Sequence, residues 1–234
     1  MRVLTIIIVL TFFIPLPAKS QIREIYTNPN FDFLAKDHSI LAILPFKVKI
    51  NLRPNAKKRL KPGDLEILQQ EYGFAVQSAL YVYFLKQKEN EKFKLNFQDT
   101  SITNAQIAKK GWNTDSLKTK TMKELADSLG VNGIISGLVL TKKPMSGGAA
   151  ATLLGITFLT DVVVGWVLGD SPGITTSGNT NSVKCTIKIY DGKSGELLWL
   201  YENKLSRGVG SNIQSIINAM MRKASRKFPY EDIK

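Results

Sequence analysis

The sequence contains one cysteine, Cys185, and one histidine, His38, in 234 residues. A lone cysteine excludes an internal disulfide. One residue of each kind excludes the usual tetrahedral Cys/His zinc site. Any Ser-His-Asp or Cys-His triad has to run through His38. That residue precedes an apolar run, has no serine in a nucleophile-elbow context, and reads as a surface histidine. A complete phosphate loop is also missing. Gly192-Lys193-Ser194 matches the tail of one, but Ile187 stands where the first glycine belongs, and the tripeptide lies between two strand-like runs instead of a strand and a helix. Aromatic–basic interleaving of the nucleic-acid-binding kind is limited to Phe93, Lys94 and Phe97. Among the carboxylates, Glu124 and Asp127 flank an apolar helix face as solvated groups, and Asp99 reads as a helix cap. No catalytic, metal or cofactor site emerges, so the expectation is a protein that is not an enzyme and carries no cofactor.

Acidic residues are also in short supply. Nineteen stand against 32 lysines and arginines, a formal net charge of +13. Such a surplus favours anionic lipid headgroups, an anionic polymer or nucleic acid. The first twenty residues bear on that choice. Arg2 is followed by the apolar run Val3–Ile14, Pro15 and Pro17 break any helix, and Ala18-Lys19-Ser20 places small residues before a cleavage point. This is the form of a signal peptide over residues 1–20. The competing reading is an uncleaved anchor, but the run falls short of the ~20 residues that a spanning helix needs. Export to the periplasm or outer membrane argues against nucleic acid. No cysteine lies near the cut, so N-terminal lipid attachment there is not available.

Residues 21–234 read as a single α/β envelope domain of about five strands in a mixed sheet with helices packed on it, in the order β-α-β-α-β-(apolar insertion)-β-β-α. Gln21–Asp37 is a lead-in of mixed polarity. Ser39–Ile50 is the first strand, apolar on both sides at Ile40–Leu44 and alternating after Phe46. A basic loop follows with Arg53, Lys57, Lys58 and Arg59, and Asp64 is the expected N-cap of a long helix reaching about Leu85. Phe93–Phe97 is a second strand, Ile102–Lys109 a short helix, and Thr121–Leu129 a third helix with Gly130 as its C-cap. Gly133–Thr141 is an apolar strand containing Gly137. Val183–Tyr190 and Glu196–Asn203 form a hairpin around Asp191–Gly195, with Gly192 and Gly195 at positive-φ positions. Ser211–Lys227 is the closing helix, with Arg222, Lys223, Arg226 and Lys227 at its C-terminal end, where cations complement the helix dipole.

Pro144–Pro172 interrupts this pattern. Asp161 is the only charge from Ser146 to Gly169. Leu153, Leu154, Ile156, Phe158, Leu159, Val163 and Trp166 are the expected contact residues. Three readings compete: an element in or on a membrane, an oligomerisation segment, and an apolar flap on the domain itself. Asp161 counts against a simple span, since a carboxylate at mid-bilayer costs roughly 2.5–3.5 kcal/mol. A long exposed apolar stretch calls for a partner.

Three stretches carry a resemblance: LAILPF at Leu41–Phe46, LADSLGVNGIISGLV at Leu125–Val139 and IYDGKSGELLW at Ile189–Trp199. They resemble the curli-secretion channel (CsgG-type) proteins, the penicillin-binding-protein activator lipoproteins and the amino-terminal domain of TolB. The shared features are structural: a strand ending in Pro45-Phe46, a helix–Gly130–strand joint and a glycine hairpin before Trp199. The resemblance implies an exported α/β domain that works by contact with envelope proteins, its own copies or the membrane surface. The chain departs from the curli-type pattern in offering one apolar insertion instead of two hairpins. A second reading is a soluble periplasmic module that binds an anionic cell-wall polymer or lipid headgroup through Arg53, Lys57, Lys58 and Arg59.

Overall fold

A computed structural model of the protein describes residues 22–51, 58, 60–113, 116–141, 181–207 and 213–232. Its elements run β1 (Ile22–Thr27), α1 (Phe31–Ala35), β2 (Ile40–Ile43), β3 (Lys47–Lys49), α2 (Asp64–Glu89), β4 (Asn96–Phe97), α3 (Thr100–Lys109), α4 (Met122–Leu129), β5 (Gly133–Thr141), β6 (Asn181–Asp191), β7 (Leu197–Arg207) and α5 (Ile213–Ser225). The strands form one mixed sheet of order β1-β7-β6-β5-β2-β4, with β3 also pairing β5. β2 runs parallel to β4 and β5, β3 runs parallel to β5, and β5, β6, β7 and β1 are antiparallel neighbours.

The fold class is the expected α/β mixed sheet, but the described residues form seven strands where the sequence pattern suggests about five. The lead-in supplies two elements, the edge strand β1 and the helix α1. The first apolar run is not one strand, because Pro45 has no N–H for the ladder and divides it into β2 and β3.

The peptide groups at this break are matched one by one. Leu44 N–H donates to Ile135 O (2.8 Å) and Phe46 N–H donates to Gly73 O on α2 (3.2 Å). Ile43 O accepts from the buried Gln77 side chain (2.6 Å), which also exchanges amide hydrogen bonds with Asn104 of α3. The Phe46 ring lies where a side chain at position 137 would stand, since a Cβ on Gly137 would fall 1.9 Å from Phe46 Cε1. A Cβ on Gly73 would fall 2.3 Å from Phe46 O. Both glycines are therefore needed for close approach.

One face of the sheet packs against α2 and α5. Ile43, Phe46, Val139, Cys185, Ile187, Trp199 and Tyr201 meet Val76, Leu80, Phe84, Ile216 and Met220 in the larger core. The other face carries α3 and α4 over β2 and the start of β5, where Ala42, Leu44 and Ile134 meet Ile107, Leu125, Ala126 and Leu129. Cys185 lies fully within the larger core, and burial, with the charge of Glu202 in addition, raises its thiol far above the ordinary range, as for a small hydrophobic residue.

Helix caps partly follow the sequence. Asp99 caps α3 by accepting from Ser101 N–H (2.7 Å), and Gly130 ends α4 in the left-handed region. Thr121 and Glu124 form a capping box, so Glu124 is not simply a solvated carboxylate. Its carboxyl is held below the ordinary range by the Thr121 backbone N–H, then by the Thr121 hydroxyl. At α2 the N-cap is Gly63, not Asp64. Asp64 instead accepts from Lys61 N–H (2.9 Å), closing the turn before the helix.

Replacing a mid-helix glycine by alanine normally stabilises by ~0.5–1 kcal/mol. For Gly73→Ala the expected sign is reversed: a backbone oxygen occupies the space, so the variant loses about 2 kcal/mol. Urea denaturation of the two proteins checks this, and equal or greater stability of Gly73→Ala rejects the close-approach account.

Candidate functional site

The edge of the sheet where β2 and β5 begin and β6 gives way to β7 brings together side chains that are far apart in sequence. Asp191 ends β6 and opens the turn to β7. Gly195, at φ +78°, allows that turn to close, with Gly195 N–H donating to Asp191 O and Asp191 N–H donating to Glu196 O (2.9 Å each). Gly192 does not have a positive φ. It is required for packing instead: its Cβ would stand 2.6 Å from Asn132 O and 2.7 Å from Ala126 Cβ. Gly192 N–H donates to that Asn132 oxygen (2.7 Å).

Within the turn Asp191 Oδ2 accepts from Ser194 N–H (2.6 Å). The other oxygen, Oδ1, lies 2.9 Å from His38 Nε2. His38 Nδ1 in turn lies 2.7 Å from the Tyr230 hydroxyl. The side chains of His38 and Asp191 are 3% and 5% exposed, so the surface position expected for His38 is corrected. It is enclosed because Asp191 and Tyr230 supply partners for both of its ring nitrogens. Burial alone raises the Asp191 carboxyl, but hydrogen bonds from Ser194, His38 and the Lys193 backbone outweigh it and hold the group below the ordinary range. An ionised carboxylate only accepts, so Nε2 carries a proton and, in the neutral ring, Nδ1 accepts from Tyr230. Burial, with the Asp191 charge in addition, raises the Tyr230 hydroxyl far above its ordinary range and keeps it a donor.

This Asp-His-Tyr series has the order of a proton relay, yet its last hydroxyl does not face solvent. Tyr230 is buried and packs edge-on against Phe31 (5.0 Å) and stacked on Phe228 (4.8 Å). The series joins the start of β2, the β6–β7 turn and the C-terminal segment. Asn132 reinforces the joint: its Oδ1 accepts from Ser39 N–H, Ser39 Oγ–H and Ile40 N–H at 2.8–3.0 Å. Outside it lies an open cleft of about 550 Å³ bordered by Phe33, Lys36, Lys123, Asp127 and Lys193. The Lys193 and Ser194 amides are thus directed at the chain's own carboxylate, an internal anion where a phosphate loop would hold an external one. Among the described residues, no group of three His, Cys, Asp or Glu is placed to hold a metal ion.

The other sequence-predicted residues divide sharply. Pro45, Phe46, Gly130, Gly137, Gly192, Gly195 and Trp199 all sit at strand breaks, caps, turns or the core, with Trp199 buried and stacked on Tyr201 at 5.7 Å. Lys58 is exposed. Arg53, Lys57 and Arg59 lie outside the described residues, as do Leu153, Leu154, Ile156, Phe158, Leu159, Val163, Trp166 and the signal-like residues 1–20. The sequence reading missed Asp191 and Tyr230 as partners of His38, and Asn132 as the acceptor for Ser39 and Ile40. Aspartate ahead of a Gly-Lys-Ser-Gly turn carries a local signal, because Asp side chains accept from amides two or three residues on. Nothing local indicates Tyr230, which is 192 residues from His38.

The sequence matches no protein-family profile and no curated protein. Among solved structures, it is similar to a subunit of the PelC dodecamer from Paraburkholderia phytofirmans, with 11% identity and a TM-score of 0.40 over 87% of this chain and 94% of that one. It is similar to lipoprotein GNA1162 from Neisseria meningitidis, with 9% identity and a TM-score of 0.42 over 81% of this chain and 96% of that one. It is also similar to the hypothetical protein CT253 from Chlamydia trachomatis, with 11% identity and a TM-score of 0.33 over 84% and 99%. None of the three is named as a curli-secretion channel, a penicillin-binding-protein activator or a TolB domain, and at such identities and scores they assign no role.

Acid should release the joint. Because the folded-state pKa of Asp191 is depressed, its contribution to stability is full above the unfolded value of about 3.9 and is lost as pH falls through the folded value. Asp191→Asn should therefore melt lower than the parent at pH 6 and show a shallower fall in Tm between pH 6 and 3. Parallel Tm profiles for the two proteins would refute the assignment. Tyr230→Phe leaves His38 Nδ1 without its hydroxyl and should lose roughly 1–3 kcal/mol.

Proposed function

We propose that the protein is a non-enzymatic, exported envelope component, an assembly or secretion accessory that acts by protein–protein and membrane contact. The α/β unit is the carrier, and residues 144–172 make the contact. One observation supports this division of labour above the rest: Thr141 at the end of β5 is paired directly with Val183 of β6. The strand ends on either side of residues 142–180 therefore lie next to each other in the sheet. Because adjacent strand ends can be joined by a short turn as well as by a long segment, shortening the insertion should leave the carrier's core contacts intact.

Other features support the same reading. The N-terminal residues have the form of a signal peptide, and the inserted sequence is almost free of charge. The LAILPF, LADSLGVNGIISGLV and IYDGKSGELLW stretches resemble envelope families that function by contact. The turn that resembles a phosphate loop is occupied by Asp191, which removes a reason for an enzymatic reading. Among the described residues, no helix is long and apolar enough to cross a membrane, so in this proposal the contact is assigned to the insertion.

Deleting Ala149–Leu168 tests the proposal. The shortened protein should keep the circular dichroism and Tm of the parent to within a few degrees and should move from the membrane to the soluble fraction of the envelope. A folded deletion variant that fractionates like the parent rejects the contact role of the segment.

A further inference from the structure

The two faces of the sheet are covered unequally. On one, Val183, Cys185, Ile187 and Ile189 of β6 and Tyr201 and Asn203 of β7 have no exposure. On the other, α3 and α4 cover β2 and the beginning of β5. Past that cover, Leu138 and Leu140 of β5, Lys184, Thr186 and Lys188 of β6, and Leu200, Glu202 and Lys204 of β7 are all partly exposed. Glu24 and Tyr26 of β1 are exposed.

The register arranges these side chains in rows across the strands. One row is Glu24, Glu202, Thr186 and Leu138; the next contains Lys204, Lys184 and Leu140. Like charges directly opposite on a sheet face are unfavourable, and here two glutamates oppose each other in one row and two lysines in the next. Lys184 reaches diagonally to form an ion pair with Glu202, which also accepts from the Thr186 hydroxyl (3.2 Å). Lys204 has no ion-pair partner among the described residues.

We propose that this open face is a contact between two copies of the chain. The two-fold axis lies in the interface and crosses the strands at the level of Asn203, Cys185 and Val139. Such a rotation keeps each strand over its own counterpart and reverses its direction. The acidic row of one copy then faces the basic row of the other: Glu202 meets Lys204 of the partner subunit, and Leu138 meets Leu140 of the partner subunit. The same contacts repeat in reverse, as a two-fold interface requires. Packed sheets lie ~10 Å apart, a span that opposed side chains of this length close. A wholly anionic or wholly cationic partner would repel one of the two rows, and a bilayer would strip water from both. A second copy with the rows in reversed order satisfies both charges and places leucine on leucine.

The patch is small. Four strands ~4.8 Å apart and three outward rows at two-residue spacing cover roughly 400 Å², less than the ~800 Å² per partner of a standard interface. The dimer is therefore weak and dependent on concentration.

Sedimentation equilibrium of the full chain in about 50 mM salt, where surface charges are lightly screened, tests the proposal with Glu202→Lys and Lys204→Glu. The parent should dimerise with rising concentration, and each variant alone should associate at least tenfold more weakly. An equimolar mixture of the two should recover association, because the first variant carries lysine at both 202 and 204, the second carries glutamate at both, and each of these positions then faces its opposite across the two-fold axis. A variant that merely misfolds is not rescued by mixing. The proposal is overturned if the parent stays monomeric, if either variant dimerises as the parent does, or if the mixture sediments as separate monomers. Association that survives both charge reversals resides elsewhere on the chain and overturns it as well.

Discussion

A buried peptide group that loses its strand neighbour must find another hydrogen-bond partner, and at residues 43–46 that requirement fixes how closely α2 approaches the sheet. Pro45 interrupts the ladder. The freed groups of Ile43 and Phe46 turn to Gln77 and Gly73 of the helix. The helix can come close enough only because residue 73 has no side chain, and the Phe46 ring can lie on β5 only because residue 137 has none. The larger core follows from this distance. Val76 and Leu80 are carried on the same helix onto the strands, and Phe84 stacks on Phe97 at 4.7 Å.

The opposite end of the strands solves a related problem with charge. Asp191 is buried, and a buried carboxylate is tolerated when its lone pairs are filled. The turn supplies Ser194 N–H and the start of β2 supplies His38. His38 in turn engages Tyr230 near the far end of the chain. Three segments with no sequence proximity are thus held by one anion. An arrangement that has the residue order of a proton relay serves here to close the fold.

Between these two fixed ends, β5, β6 and β7 form a long antiparallel blade with one sealed face and one open face. The sealed face continues the core. The open face carries a charge order that an inverted copy of itself complements. At one end of this blade Thr141 and Val183, the paired strand ends that flank the apolar insertion in sequence, stand side by side.

Much of the architecture is legible in local sequence. Apolar periodicity identifies α2, α4 and α5 and the strand β5, Gly130 marks a helix end, and the glycine turn before Trp199 marks the β6–β7 hairpin. These signals are local because helix and strand periods, caps and turns are properties of neighbouring residues. Local sequence does not reveal the edge strand β1, since its mixed polarity reflects partial exposure at a sheet margin. It does not reveal that Gly137 and Gly192 are demanded by a ring and a carbonyl from elsewhere in the chain, or that His38 is enclosed. Those outcomes depend on which distant atoms occupy the same space, and only the packed sheet decides that. The sequence by itself determines a mixed α/β chain with an apolar insertion and a basic surface. The tertiary structure decides where its one histidine lies, which glycines are indispensable and which face of the sheet stays open.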